Sequence, residues 1–372
     1  MMKILFLNWS RVEYAGGEKH LLALIKEMKF LGVEPRLLCP NKSPLAQRAS
    51  EAGIEVSEIS LDYFEKSNPL PYLSSVVSVY NEIKKFKPDL IHGQGVNSLH
   101  WLMPFAFLTD IPIGCQQQDY EVLNRFSLWT LRKIPISFAT SDALRKHVTE
   151  AFKVNADKCL TIRQSIEPLC ESSPEQVRVM RKGLGLDPGE IAVGICGRIH
   201  PRKGQHIFIK AAAILKKETS IKWFIAGDRA IADGRYLGEL DALIKEHGLG
   251  SRLCFTGFIS DMSVFLKSLD LITVPSQDEP LGLISVEAQA QGRPVIVSGQ
   301  GGLPETVAEG TSGLVLEENT PECLASKVRQ LANDKERRDK MGRAGRFVYQ
   351  SRFTIKENAF KILQQYKILV GS

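Results

Sequence analysis

The chain has 372 residues, 44% hydrophobic and 24% charged, with 48 Lys and Arg against 42 Asp and Glu for a net charge of +6. That length exceeds a single core and supplies apolar material for two. No run of about 18 apolar residues is present, which argues against a membrane-spanning helix. The positive charge is diffuse and comes with no recognised nucleic-acid-binding motif. That argues against nucleic acid and leaves anionic ligands and lipid surfaces open.

Strand and helix signals alternate from the first residues onward. Lys3–Asn8 reads as a strand, not a signal peptide, and runs into a loop carrying Gly16-Gly17-Glu18. Lys19–Phe30 reads as a helix, Pro35–Cys39 as a strand, Tyr72–Phe86 as a helix and Asp89–Gly93 as a strand. Ile111–Cys115, Asp142–Phe152 and Ile136–Thr140 read as strand, helix and strand, respectively. The stretch Glu171–Leu186, with its Ser, Pro and Gly, reads as a linker. A second series then begins: strands at Ile191–Cys196, Ile221–Ala226, Arg252–Thr256, Leu269–Val274 and Pro294–Val297, with helices at Gln205–Lys217 and Leu283–Gln291. Lys356–Val370 reads as a final helix. Two successive β/α series predict an α/β protein of two doubly wound parallel-sheet domains, in which ligands bind at the carboxyl ends of the strands. The expected domains are 1–170, to which 353–372 returns, and 184–352. The seven scattered cysteines lack motif spacing, which fits reduced thiols in a cytoplasm, and no Cys/His spacing suggests zinc.

Two loops carry the chemistry. Glu279 and Glu287 bracket a stretch that runs from the end of a strand into a helix. The free N–H groups at that helix start suit a phosphate, and a carboxylate one turn further, about 6 Å along the axis, suits a ribose diol. Gly197-Arg-Ile-His-Pro-Arg-Lys-Gly204 follows a buried strand and precedes a helix. There Arg198 supplies a fork and Lys203 a point charge for a diphosphate. Gly16 and Gly17 permit close backbone approach at another helix start, where an ordinary β-to-α turn is the alternative. Gly227 follows a strand and would give a base or diphosphate room, and Phe255-Thr-Gly257-Phe258 follows another and would contact a nucleobase by its backbone. His92 ends a strand, either facing the ligand or satisfied within the core.

Ser276, Glu279, Gly282, Glu287, Ala288, Gly292-Arg-Pro-Val295 and Gly301-Gly-Leu-Pro-Glu305 resemble the C-terminal signature of retaining GT-B glycosyltransferases of the GT4 family. The resemblance implies a GT-B fold, with two Rossmann-like domains facing across a cleft and the final helix crossing back onto the first. It implies transfer from a nucleotide-diphosphate sugar to a glycan or lipid-linked acceptor, with no metal or other cofactor. It assigns Glu279 to the donor sugar, Arg198 and Lys203 to the leaving diphosphate, and Pro280, Leu281, Gly282, Leu283 and Glu287 to donor binding. Gln118 stands where many relatives carry a histidine; it preserves hydrogen bonding without charge. Arg163-Gln-Ser-Ile-Glu167 departs from the family's Asn-Gly turn. A sugar-nucleotide epimerase of the same fold, or a silent nucleotide-sugar-binding partner, are the alternatives. Val122–Lys133 mixes Phe126 and Trp129 with Arg125, Arg132 and Lys133. It reads either as a helix packed on its sheet or as peripheral contact with an anionic membrane, on the inner face of the cytoplasmic membrane.

Overall fold

The computed structural model describes residues 1–11, 16–120 and 123–371, and the chain forms two compact units, Met1–Glu167 with Thr354–Ser372, and Pro168–Phe353. In the first unit, β1 (Lys3–Leu7), α1 (Gly16–Phe30), β2 (Glu34–Pro40), α2 (Pro44–Glu51), β3 (Glu55–Ile59) and α3 (Leu70–Phe86) come first. They are followed by β4 (Leu90–Gln94), the short helices α4 (Leu99–Leu102) and α5 (Phe105–Leu108), and β5 (Ile113–Gln117). Then come α6 (Arg125–Lys133), β6 (Ile136–Ala139), α7 (Asp142–Ala151) and β7 (Cys159–Thr161). The strands form one parallel sheet in the order β3-β2-β1-β4-β5-β6-β7. A parallel sheet carries helices on both faces, so its strands are apolar on both sides. In β1, Ile4 and Phe6 join a core with α1 and α2, while Leu5 and Leu7 join one with α3, α4 and α7.

The second unit contains α8 (Pro174–Gly183), β8 (Ile191–Cys196), α9 (Gln205–Ile214), β9 (Ile221–Ala226) and α10 (Gly234–His247). It continues with β10 (Leu253–Gly257), α11 (Met262–Ser268), β11 (Leu271–Val274), α12 (Leu283–Ala290) and β12 (Val295–Ser298). It closes with β13 (Gly313–Leu316), α13 (Pro321–Ala332) and α14 (Lys335–Arg352), and its parallel sheet runs β10-β9-β8-β11-β12-β13. Alternate residues of β8 again serve two cores, Val193 and Ile195 in one, Ala192 and Cys196 in the other.

The stretch expected as a linker holds α8 instead. Ser173 accepts from the backbone of Gln176, whose side chain returns to the Ser173 N–H, a reciprocal cap that starts the helix. Arg181 then bonds Asp270, the Ser268 carbonyl and the Glu190 carbonyl, fastening α8 to the second sheet. The last helix, α15 (Ile355–Val370), belongs to the first unit, where Ile362 and Tyr366 are buried in the α1 core. Among the described residues no helix is long and apolar enough to cross a membrane.

Buried, neutral polar groups brace the first unit. His20 is 2% exposed, its Nδ1 donating to the Ser165 carbonyl at 2.9 Å and its Nε2 accepting from Gln116 at 3.2 Å. Asn358 of α15 donates to the Arg163 carbonyl at 2.6 Å, so α1 and α15 both hold the 163–165 segment. Burial is the main cause that holds His20 and His92 near a pKa of about 4. Both are therefore neutral in the fold at neutral pH, whereas in the unfolded chain they titrate near about 6.5. Stability is unaffected by them above that value and falls as pH drops from about 6.5 toward about 4, because only the unfolded state takes up the proton. At about pH 5 the loss should be about 2 kcal/mol per histidine relative to about pH 7.5. Urea unfolding at the two pH values measures it, and His20→Gln and His92→Gln should each flatten the dependence. A midpoint that did not move would mean these rings are hydrated.

Candidate functional site

The loop after β8 is held open at one end by Gly197, at φ +140°, and turned into α9 by Gly204, at φ +77°. A Cβ at Gly204 would lie 2.2 Å from the Pro275 carbonyl oxygen, so only glycine fits where two loops touch. Pro201–Lys203 forms a 3-10 turn capped by His200, whose Nδ1 accepts from the Arg202 N–H at 3.2 Å. Gln205, 1% exposed, donates from its side chain to the Arg198 carbonyl at 2.8 Å. Arg198 is thereby presented on an exposed but braced backbone. Nothing in the sequence marked Gln205 for this task, since His206 and Lys210 make it one of several polar residues in α9.

The loop after β11 lies against it. The Gln277 N–H donates to the Arg202 carbonyl at 2.7 Å, and Arg202 donates to the Asp278 carbonyl at 2.8 Å. Asp278 takes φ +50°, a left-handed conformation unusual outside glycine. The next residue, Glu279, accepts a hydrogen bond from Lys203 Nζ at 2.6 Å, with the two side chains 17% and 29% exposed. Lys203 and Glu279, read from sequence as separate groups with separate tasks, form one ion pair.

A third loop, after β12, holds Glu279 from behind. The Gly302 N–H donates to the Glu279 carbonyl at 2.8 Å. Gly301 sits at φ +61°, where a Cβ would come within 2.3 Å of the same oxygen. Ser298 donates to the Ser276 carbonyl at 2.6 Å, and Asn319 to the Pro275 carbonyl at 3.1 Å. Strands β8, β11 and β12 are neighbours, so these loops leave one edge of the sheet side by side.

Pro280 and Leu281 are buried and lead to Gly282, which enters α12 at φ +89° with no side-chain cap. A Cβ there would meet Leu303 at 2.4 Å. The first N–H groups of α12, beginning at Leu283, therefore have the free donors and partial positive charge that favour an anion. Glu287 stands one turn on, half-buried. Burial pushes the Cys196 thiol well above its usual range, and the charge of Glu287 adds to this. Of the two acids, Glu279 meets the basic loop directly, through Lys203.

Gly227 has a packing reason of its own: a Cβ would lie 2.4 Å from the Gly197 carbonyl oxygen. Its N–H donates to the Gly257 carbonyl at 3.0 Å, and Gly257, at φ +74°, borders open space. Among the described residues no cluster of three or more His, Cys, Asp or Glu is arranged to hold a metal ion.

The first unit carries its own candidate face. Gly16 and Gly17 begin α1, and a Cβ on Gly17 would lie 2.7 Å from Gln118 Oε1. Two signals far apart in the chain thus meet, and Gln118 Nε2 is buried with no hydrogen-bond partner among the described residues. His92 is fully buried and bonded at both nitrogens, to the Tyr366 hydroxyl at 2.6 Å and to Gln94 at 3.2 Å, which makes it a core residue. In α6, Ser127, Thr130 and Leu131 are buried while Phe126 and Trp129 are exposed, and Trp129 stacks on Phe107 with centroids 4.0 Å apart. Val122, which opens that segment, lies outside the described residues.

Two parallel Rossmann-like sheets of seven and six strands, with anion-suited loops at strand ends, define the GT-B class of glycosyltransferases. Residues 176–348 match the family model for glycosyl transferases group 1, and residues 14–168 match that for glycosyltransferase family 4; the chain belongs to this family. It is 30% identical over 226 residues to a D-inositol 3-phosphate glycosyltransferase of Segniliparus rotundus, covering 59% of this chain and 49% of that protein. A protein of the same description from a Mycobacterium species is 36% identical over 147 residues, 39% of this chain and 33% of that one. The chain thus spans about half or less of these curated relatives. A glycosyltransferase from Rickettsia africae superposes with TM-score 0.89 at 21% identity, covering 99% of this chain and 98% of that one. HepE of Anabaena, in complex with UDP and glucose, gives 0.85 at 22% identity, covering 98% and 99%. These two likenesses establish the fold.

The interlocked loops make a stability prediction. Gly310→Ala pays only for a left-handed φ of +70°, with nothing within 4 Å of the new Cβ, and should cost about 1 kcal/mol. Gly301→Ala adds the collision with Glu279 and should cost about 2–4 kcal/mol. Chemical denaturation of both variants makes the comparison. Equal costs would show that the Glu279 backbone yields freely.

Proposed function

We propose that the protein is a retaining glycosyltransferase that moves a sugar from a nucleotide-diphosphate sugar to a glycan or lipid-linked acceptor. Cell-surface polysaccharide or lipopolysaccharide synthesis is the setting in which such transfer belongs. The second unit takes the donor and the first the acceptor. The observation that carries this reading is the Lys203–Glu279 pair at 2.6 Å, flanked by Arg198 and the uncapped start of α12. A diphosphate entering there competes with Glu279 for the ammonium. Lys203 and Arg198 then stabilise the charge that grows on the leaving group, with no divalent metal required. Glu279, relieved of its partner, orients the donor sugar and faces positive charge developing at the anomeric carbon. Glu287 accepts from the ribose hydroxyls. On the first unit, Gly16, Gly17 and Gln118 supply backbone and amide groups for ligand contact. HepE, solved with UDP and with UDP-glucose, supports a nucleotide-sugar donor by its likeness of fold.

Arg198→Ala and Lys203→Ala should each lower turnover about tenfold to a hundredfold with the fold intact, the worth of a charge-assisted contact. Glu287→Ala should weaken free nucleotide and nucleotide sugar alike, whereas Glu279→Gln should spare nucleotide binding and depress transfer. Calorimetric titration with UDP, GDP and ADP, and with their glucose conjugates, separates these roles when paired with a product assay. Wild-type kinetics in both cation variants would remove the basic loop from the mechanism.

Peripheral contact with an anionic membrane, on the cytoplasmic side, completes the reading. Its support is the exposed pair Phe126 and Trp129 beside Arg125, Arg132 and Lys133, continued by exposed Phe107 and Leu108. Each cation near an anionic surface contributes about 1 kcal/mol. Flotation with phosphatidylglycerol vesicles should show salt-sensitive binding that Trp129→Ala with Arg132→Ala abolishes. Binding unchanged in that double variant would leave α6 as a packed helix with a solvated edge.

A further inference from the structure

We propose that Tyr366, His92 and Gln94 are positioning residues that form a hydrogen-bond relay from the last helix to the glycine turn at the start of α1. Tyr366 Oη lies 2.6 Å from His92 Nδ1, His92 Nε2 lies 3.2 Å from Gln94 Oε1, and Gln94 Nε2 lies 3.3 Å from the Gly17 carbonyl oxygen. All three side chains are 2% exposed or less. Gly114 makes room for the first of them, since a Cβ there would lie 2.6 Å from the Tyr366 hydroxyl.

The relay has a direction. The Gly17 carbonyl only accepts, so the amide nitrogen of Gln94 must face it and the amide oxygen must face His92. That oxygen also only accepts, so His92 carries its proton on Nε2. Nδ1 is then an acceptor, and the Tyr366 hydroxyl donates to it. Burial keeps His92 neutral and holds the tyrosine protonated, so one tautomer persists across neutral pH. Without the hydroxyl, Nδ1 becomes a buried acceptor with no partner, and the ring loses the bond that sets its angle to Gln94. The other tautomer offers no relief, since it would leave Nδ1–H without an acceptor and turn the Gln94 oxygen against the Gly17 carbonyl, so the ring shifts and its hold through Gln94 on Gly17 weakens. The turn is gripped on its other side by Gln118, packed where a Gly17 Cβ would stand. A tyrosine at the far end of the chain thereby sets the register of the first turn of α1.

The proposal rests on the reading of Gly16 and Gly17 as a ligand-facing turn, and its test separates the two. Hydrogen exchange by mass spectrometry on the full-length protein, without ligand, follows the amides one turn into α1, whose N–H groups bond the first-turn carbonyls. Tyr366→Phe, which removes one oxygen from an otherwise intact packing, should speed exchange there about tenfold, the loss of one buried hydrogen bond, and leave α15 unchanged. Gln94→Leu should do the same, with Gln94→Met as the second variant if it folds poorly. The double variant should exchange no faster than either single one, because both break one chain of bonds. Unchanged exchange of those amides in Tyr366→Phe, or effects that multiply in the double variant, would overturn the relay. With UDP-glucose as the probe, release of UDP should fall about fivefold in kcat with little change in KM. Faster exchange with UDP release unaltered would uphold the relay and remove the glycine turn from the active site.

Discussion

The arrangement of the second unit's loops depends on one ion pair. Lys203 and Glu279 come from turns after β8 and β11, and their contact at 2.6 Å is made in partial burial. Taking two charges from water costs more than a surface pair does, and the cost is offset only by close geometry and by neighbours that keep both groups in place. The neighbours here are backbone: Arg202 with Gln277, Gly302 with Glu279, and the close approach of Gly204 to Pro275. Loop conformation and ion pair therefore stabilise each other. The same arithmetic makes the pair exchangeable. A diphosphate offers Lys203 more negative charge than one carboxylate, without returning either partner to water.

The first unit solves a related problem without charge. Its buried residues include His20, His92, Gln94 and Gln116, and the bonds among them are neutral. Low dielectric strengthens such bonds and makes any unpaired member costly, so the network dictates which way each amide and ring must point. Directional bonds suit a turn whose carbonyl must face inward while its neighbouring glycine stays bare. The two units thus hold their strand-end turns differently, one by electrostatic attraction across loops, the other by oriented hydrogen bonds through the core.

Much of this was legible in the sequence, for local reasons. β8 and β9 run from Ile191 to Cys196 and from Ile221 to Ala226, the bounds read from their apolar stretches, because a parallel strand buried on both faces is almost wholly apolar, with Lys222 near the start of β9 the one charged residue in the two. The basic loop and the acid pair were readable because residue type and distance from a strand end suffice to suggest an anion. Where the local signal was mixed, the reading failed. α8 was taken for a linker on its Ser, Pro and Gly, although Ser173 and Gln176 carried a helix cap. β3, at the sheet edge, alternates polar residues and was passed over.

The pairings were beyond any such reading. Lys203 and Glu279 are 76 residues apart, and His92 and Tyr366 are 274 apart. Sequence named His92 as either ligand-facing or satisfied, and only the return of α15 to the first sheet supplied the hydroxyl that decided it. Gly17 and Gln118 looked like independent features until β1 and β5 entered the same sheet on either side of β4. Residue type and local spacing determined which elements form and which loops carry charge. Strand order determined which loops are neighbours, and hence which charge meets which. That order is set by burying every helix and strand at once, a property no single stretch of the chain contains.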